Sequence, residues 1–150
     1  MQKRVMCLTH QLSLLLCAGL AAASWIFNPG WLRVILFLAA VIHTLIFAAI
    51  HISAAMCLEK SRLLHILLWV DYIPYLAVYL LLPDFGDLGE VHMLFGMIRS
   101  EVICTAALGI TVLSLLVNLG LMAVILGWEI VIWSGKQDAV RAKLYAWFQN

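Results

Sequence analysis

Charge is what this sequence has least of. Asp, Glu, Lys and Arg make up only 11% of its 150 residues, against about a quarter in an ordinary soluble domain. The net charge of +1 gives no basic field for nucleic acid and no acidic tail for a basic partner, so neither is expected. Paired cysteine is missing too. Cys7, Cys17, Cys57 and Cys104 never form a C-x-x-C, which points to reduced thiols and away from a disulfide framework or a membrane thiol oxidoreductase. No stretch alternates apolar and polar residues with period two, which excludes a β-barrel. There is no G-x-S-x-G, H-E-x-x-H or P-loop. The expectation is therefore a non-enzyme without a metal site.

What is there is apolar side chain, 65% of the residues. A water-soluble globule of this length has too much surface for its volume to hide that fraction, so the expected solvent is lipid. Four apolar stretches, over about 11–27, 34–58, 63–82 and 102–128, approach or exceed the roughly 20 helical residues that a bilayer core takes. Asn28-Pro29-Gly30 breaks the chain after the first and Pro83 ends the third; the fourth can continue to Trp133. Spanning segments must satisfy their own backbone groups, so helices are the expected form. The fold class read here is all-α, an integral-membrane antiparallel four-helix transmembrane bundle forming a single domain over residues 1–150.

Lys3 and Arg4, the apolar run 12–20 and Ala21-Ala22-Ala23-Ser24 imitate a secretory signal with a small-residue cleavage site. The segment is read here as a retained first helix. Orientation comes from the basic residues. Lys3, Arg4, Lys60, Arg62, Lys136, Arg141 and Lys143, seven of nine, fall on one side, which places both termini in the cytoplasm. Arg33 and Arg99 fall on the other, with Asp84, Asp87, Glu90 and Glu101. Trp25 and Trp31 then mark the outer interface, and Trp128 and Trp133 the inner one. Segment 88–98 is apolar but too short to span, and reads as a surface-lying helix or partly re-entrant segment. Residues 136–150 read as an interfacial helix with Val140, Leu144, Trp147 and Phe148 on one face. The charge asymmetry and minimal loops fit a bacterial inner (cytoplasmic) membrane.

Charged groups at a helix centre in hydrocarbon cost about 3 kcal/mol or more, so they turn toward protein. Asp71 lies nine residues past Arg62, and His51 nine before Lys60. Both reach roughly 13 Å from the same side. A tight connection makes their helices neighbours, so the two can meet, and a carboxylate beside an imidazole can share a proton. On the fourth helix Cys104, Ala107, Thr111, Ser114, Asn118, Ile125 and Glu129 form one stripe, with Asn118 at a similar depth. Asp71, His51, Asn118 and Tyr75, one turn from Asp71, thus form a candidate proton or ion site. The competing reading is that they only hydrogen-bond one another and fix packing, each contact worth about 0.6 to 2 kcal/mol. Glu129 is read as interfacial, and His10 and His92 likewise.

No cofactor is expected, with haem b as the alternative. His43 and His51 share nearly one face but sit about 12 Å apart along the axis, too far to grip one haem; His51 with His65 is the remaining pair. Gly19 with Ala23, Ala18 with Ala22, and Ala49 with Ser53 permit close helix approach, either within the bundle or as a docking face. Pro74 is expected to kink the third helix and free a carbonyl one turn earlier. Three functions follow. The first is a non-catalytic accessory, regulatory or protective subunit that contacts other membrane chains, or itself, in the lipid bilayer. The second is an oligomeric channel or proton-coupled carrier using the Asp/His/Asn cluster, and the third a haem-bearing redox subunit.

Overall fold

The computed structural model describes residues 2–27, 30–57, 61–85, 91–94, 97–135 and 139. Helices dominate: α1 (Gln2–Phe27), α2 (Trp31–Cys57), α3 (Arg62–Leu80) and α4 (Glu101–Trp133), with strands β1 (Asp84–Phe85) and β2 (Val91–His92) between α3 and α4. All four helices carry a stretch long and apolar enough to cross a membrane. They match the four expected stretches, except that α1 starts at Gln2 rather than near residue 11 and α2 at Trp31 rather than near 34; α4 does continue to Trp133.

Local chemistry explains several boundaries. Ser61 caps α3, its Oγ accepting from the Leu64 N–H, and the same oxygen accepts from Trp128 Nε1 at 2.8 Å. One small residue thereby ties the start of α3 to the end of α4. Pro74 has no N–H to donate, yet α3 runs through it without a break.

Segment 88–98 departs from expectation. In its described part, β2 pairs antiparallel with β1 (Asp84 opposite His92, Phe85 opposite Val91), and Met93 bridges Ile98 across a turn where Leu94 has φ +49°. This is a small β-hairpin element and not a surface helix. Met93 packs on Cys104 and Ala107, so its apolar residues cover the start of α4. Short apolar runs do not distinguish strand from helix by periodicity. The expected interfacial tail, with Val140, Leu144, Trp147 and Phe148, lies outside the described residues.

α3 packs against α1, α2 and α4, and α2 also touches α1 and α4. One core cluster joins Ala54, Leu64, Leu68, Ile125, Trp128 and Ile132. Another joins Cys17, Ala21, Phe47, Tyr72, Tyr75, Tyr79 and Met122. The surface reverses the usual order. Leu15, Ile35, Leu38, Leu113, Leu116 and Ile130 are at least 61% exposed, while Arg33, His51, Asp71, Asn118 and Glu129 are at most 4% exposed.

Candidate functional site

Three helices supply the polar interior, each from one face. On α2, His43, Phe47 and His51 recur every four residues. On α3 the same step joins Asp71, Tyr75 and Tyr79. The expected stripe of α4 is its buried face: Cys104, Ala107, Thr111, Asn118, Ile125 and Glu129 are buried and Ser114 is half-buried. Residues four apart stack on one side of a helix, so each helix presents a short polar ladder to the others.

Asp71 and Asn118 are fully buried and meet directly, Asn118 Nδ2 donating to Asp71 Oδ1 at 2.7 Å. His51 Nε2 lies 3.2 Å from the other carboxylate oxygen. Asp71, His51 and Asn118 are thus brought together. Tyr75 is not a direct partner of Asp71. Its hydroxyl donates to Thr44 Oγ1 at 3.1 Å, and its ring stacks on Phe47 at 3.8 Å, with the His51 ring 4.0 Å from Phe47.

His43, Thr44 and Tyr79 link these ends. His43 Nε2 is 2.8 Å from Asn118 Oδ1, and its Nδ1 is 2.8 Å from the Tyr79 hydroxyl. Tyr79 OH is also 3.0 Å from Thr44 Oγ1 and 3.1 Å from the Ala40 carbonyl. One assignment of protons runs through the side chains, with the Ala40 carbonyl left without the Tyr79 proton: Tyr75 donates to Thr44, Thr44 to Tyr79, Tyr79 to His43, His43 to Asn118 and Asn118 to Asp71. His51 donates from the other side, so Asp71 is the terminal acceptor of both branches. An amide passes a hydrogen bond along but does not readily hand on a proton. Asn118 therefore separates the His51–Asp71 pair from the His43, Tyr79, Thr44 and Tyr75 side. The equal faces of His43 and His51 were visible in their spacing; the bridging by Asn118 was not.

Two buried residues have partners that the sequence reading did not give them. Glu129, expected at an interface, is 4% exposed and accepts from Ser53 Oγ at 2.8 Å. His10, also expected at an interface, is buried, with Nε2 3.0 Å from His65 Nδ1 and its carbonyl accepting from Tyr72 OH at 3.1 Å. The haem pair weighed from sequence is thus turned apart: His65 faces His10, and His51 faces Asp71. Among the described residues no group of three or more His, Cys, Asp or Glu is placed to hold a metal ion. Of the small residues, Gly19 and Ala49 face outward, Ala23 is half-buried, and Ser53 serves Glu129. Cys17 and Ala21 fill the inward side of α1.

A second polar cluster was missed altogether. Arg33, taken as a loop charge, sits in the first turn of α2 at 1% exposure and pairs with fully buried Asp84 at 3.4 Å. Asp84 also accepts from the backbone N–H groups of Leu32 and Arg33, at 2.9 and 3.2 Å. It caps α2 from a distance, and an acid there complements the positive helix end. The guanidinium of Arg33 donates to Ser24 Oγ and to the carbonyls of Tyr79 and Leu82. Ser24 in turn donates to the Tyr79 carbonyl at 2.7 Å. The end of α1, the start of α2 and the end of α3 are thereby clamped in one knot. Gly30 completes it, because a methyl group there would collide with the Asp84 carboxylate.

These features define a class: a small helical bundle with four helices long and apolar enough to cross a membrane and with its polar groups turned inward. Comparison with known proteins adds nothing narrower, since no family model, no curated relative and no solved structure matches the chain.

Proposed function

We propose that the chain is an integral protein of a bacterial inner membrane that works without catalysis, as an accessory, regulatory or protective subunit. It does so by helix contacts with other membrane chains or with copies of itself. The bundle is antiparallel, with both termini cytoplasmic. The antiparallel order of α2, α3 and α4 is supported by their contacts: His51–Asp71 and His43–Tyr79 run oppositely along α2 and α3, as do Asn118–Asp71 and Trp128–Ser61 along α4 and α3; the cytoplasmic side rests on the basic residues. Insertion is supported by the apolar outward faces of the helices, since lipid needs no polar surface from a helix whose backbone is already bonded.

The observation that carries the functional reading is on the outward face of α4. Gly109, Gly120 and Gly127 lie there at steps of eleven and seven residues, on one side of the helix, and a methyl group at any of them would meet nothing among the described residues. Glycine in a helix interior costs about 1 kcal/mol relative to alanine. Internal packing does not account for three of them on an exposed face, whereas close approach of a second helix does. The test is crosslinking and affinity purification from native membranes with wild type and the Gly120→Ile, Gly127→Ile double variant. The expected result is a co-purifying membrane chain or homo-oligomer lost in the folded variant. Recovery of a monomer alone from wild type contradicts the reading.

A second reading, an oligomeric channel or proton-coupled carrier, draws on the Asp71 network, because an acid buried at this depth is by default a functional group. Four short helices enclose little space, so a path would form between protomers. Loss of flux in reconstituted liposomes on Asp71→Asn is the expected result, and flux unchanged by it removes the site. The haem-bearing alternative has no observation in its favour.

A further inference from the structure

Glu129 on α4 is a buried acid that neither polar network uses. It is 4% exposed, its Oε2 lies 2.8 Å from Ser53 Oγ, and its Oε1 is shut off from solvent and has no hydrogen-bond partner. Ser53 Oγ also lies 3.0 Å from the carbonyl of Ile50, three residues back along α2, a contact that helical serines commonly make. The hydroxyl thus stands at hydrogen-bond distance from two oxygens, and it has one proton to donate. One proton cannot serve both.

An ionised carboxylate can only accept. If Ser53 gives its proton to Glu129, the serine and Ile50 oxygens face each other at 3.0 Å with no hydrogen between them. If it gives the proton to Ile50, the same conflict arises against the acid at 2.8 Å. Either way Oε1 shares a charge with neither a partner nor water, which is the costly case for a buried group. A proton on Oε2 removes both conflicts. The acid donates to Ser53, Ser53 donates to Ile50, and Oε1 is left as a neutral carbonyl oxygen.

The surroundings supply no compensating charge. α4 packs on α2 and α3 and, at its start, on β2. On α2, His51 is turned to Asp71, and Cys57 is buried with Ala54, Trp128 and Ile132. On α3, His65 faces His10, Tyr72 and Tyr75 donate to the His10 carbonyl and to Thr44, and Arg62 is exposed. Asp71 is bonded to Asn118, eleven residues or about 16 Å back along α4. Among the described residues no cation pairs with Glu129; burial and Ser53 are what act on it.

We infer that Glu129 is a proton-binding site: in the closed bundle it holds a proton on Oε2 and donates through it to Ser53, which donates to the Ile50 carbonyl. The Ser53 contact therefore runs opposite to the direction an ionised acid imposes. The ligand is a proton and not a metal ion, since a hard cation takes six or more oxygens and Oε1 is sealed and alone. Losing the proton would leave a bare charge between α2 and α4, so release is linked to parting of these helices near Trp128. The site differs in kind from Asp71, which accepts from two donors.

The experiment is infrared spectroscopy of the purified, delipidated protein at neutral pH in a detergent without carbonyl groups. The C=O stretch of a protonated carboxyl is separate there from the carboxylate bands. Wild type is expected to show a protonated-carboxyl band that Glu129→Gln loses and Asp71→Asn keeps. Ser53→Ala is expected to move that band to higher frequency, because the acid then has no acceptor; this arm stands even if Glu129→Gln does not fold. Unfolding exposes the acid to water, where it ionises, so unfolding releases its proton and is favoured as pH rises. The folding constant of wild type is therefore expected to fall with pH more steeply than that of Glu129→Gln, by up to about tenfold per pH unit. A protonated-carboxyl absorption unchanged in Glu129→Gln, a band unmoved in Ser53→Ala, or equal pH slopes would each overturn the inference.

Discussion

At Asp71 two donors converge on one carboxylate, and what separates an acid from an amide there is the number of acceptor oxygens. Asparagine at this position offers one oxygen and adds an N–H₂ group. Either Asn118 Nδ2 would then face a donor, or His51 would have to change tautomer and accept through Nε2. Asp71→Asn is expected to cost about 1–3 kcal/mol while the apolar clusters keep the bundle folded, as measured by unfolding in detergent. Wild-type stability in that variant would mean that His51 accepts from the new amide and that the carboxylate charge is not needed there. The meeting of Asp71, His51 and Asn118 was legible from the sequence, because depth along a helix is a count of residues. The path through His43, Tyr79 and Thr44 to Tyr75 was not, because it depends on helix rotation, which no spacing within a single helix specifies. The partners of Glu129 and His10 were not legible for a related reason: both lie toward helix ends, and distance from the end says nothing about which way the side chain faces.

Among the elements, the ends of the helices are held more tightly than their lengths suggest. Gly30 lies against the Asp84 carboxylate, and Asp84 caps α2 and pairs with Arg33. Gly30→Ala is expected to push the carboxylate off its partners at a cost of about 1–3 kcal/mol. Gly109→Ala meets nothing among the described residues, and gains up to about 1 kcal/mol from better helix propensity. Equal effects of the two substitutions on unfolding would contradict the knot. The four helices were readable because long apolar runs punctuated by Asn28-Pro29-Gly30 and Pro83 leave few alternatives. The knot was hidden because Arg33 and Asp84 are 51 residues apart and each looks like an ordinary loop charge. The hairpin at 88–98 was hidden because Val91, Met93 and Ile98 suit a strand as well as a helix.

For the whole molecule, polar groups inside and large apolar side chains outside are two halves of one arrangement. In water the outward faces of α1, α2 and α4 would be an association hazard; in lipid they match the solvent. The buried network then supplies helix-to-helix specificity that apolar contact with lipid on every side does not. The proposed insertion sets the chain across the bilayer with its basic loops on one face. The most direct measurement is protease access to tags on the two termini, compared in spheroplasts and in inverted inner-membrane vesicles after an alkaline carbonate wash. Both tags should be cut only in the inverted vesicles, with the protein retained in the membrane pellet. Cleavage of one tag from each side, or release of the protein by carbonate, would contradict the account.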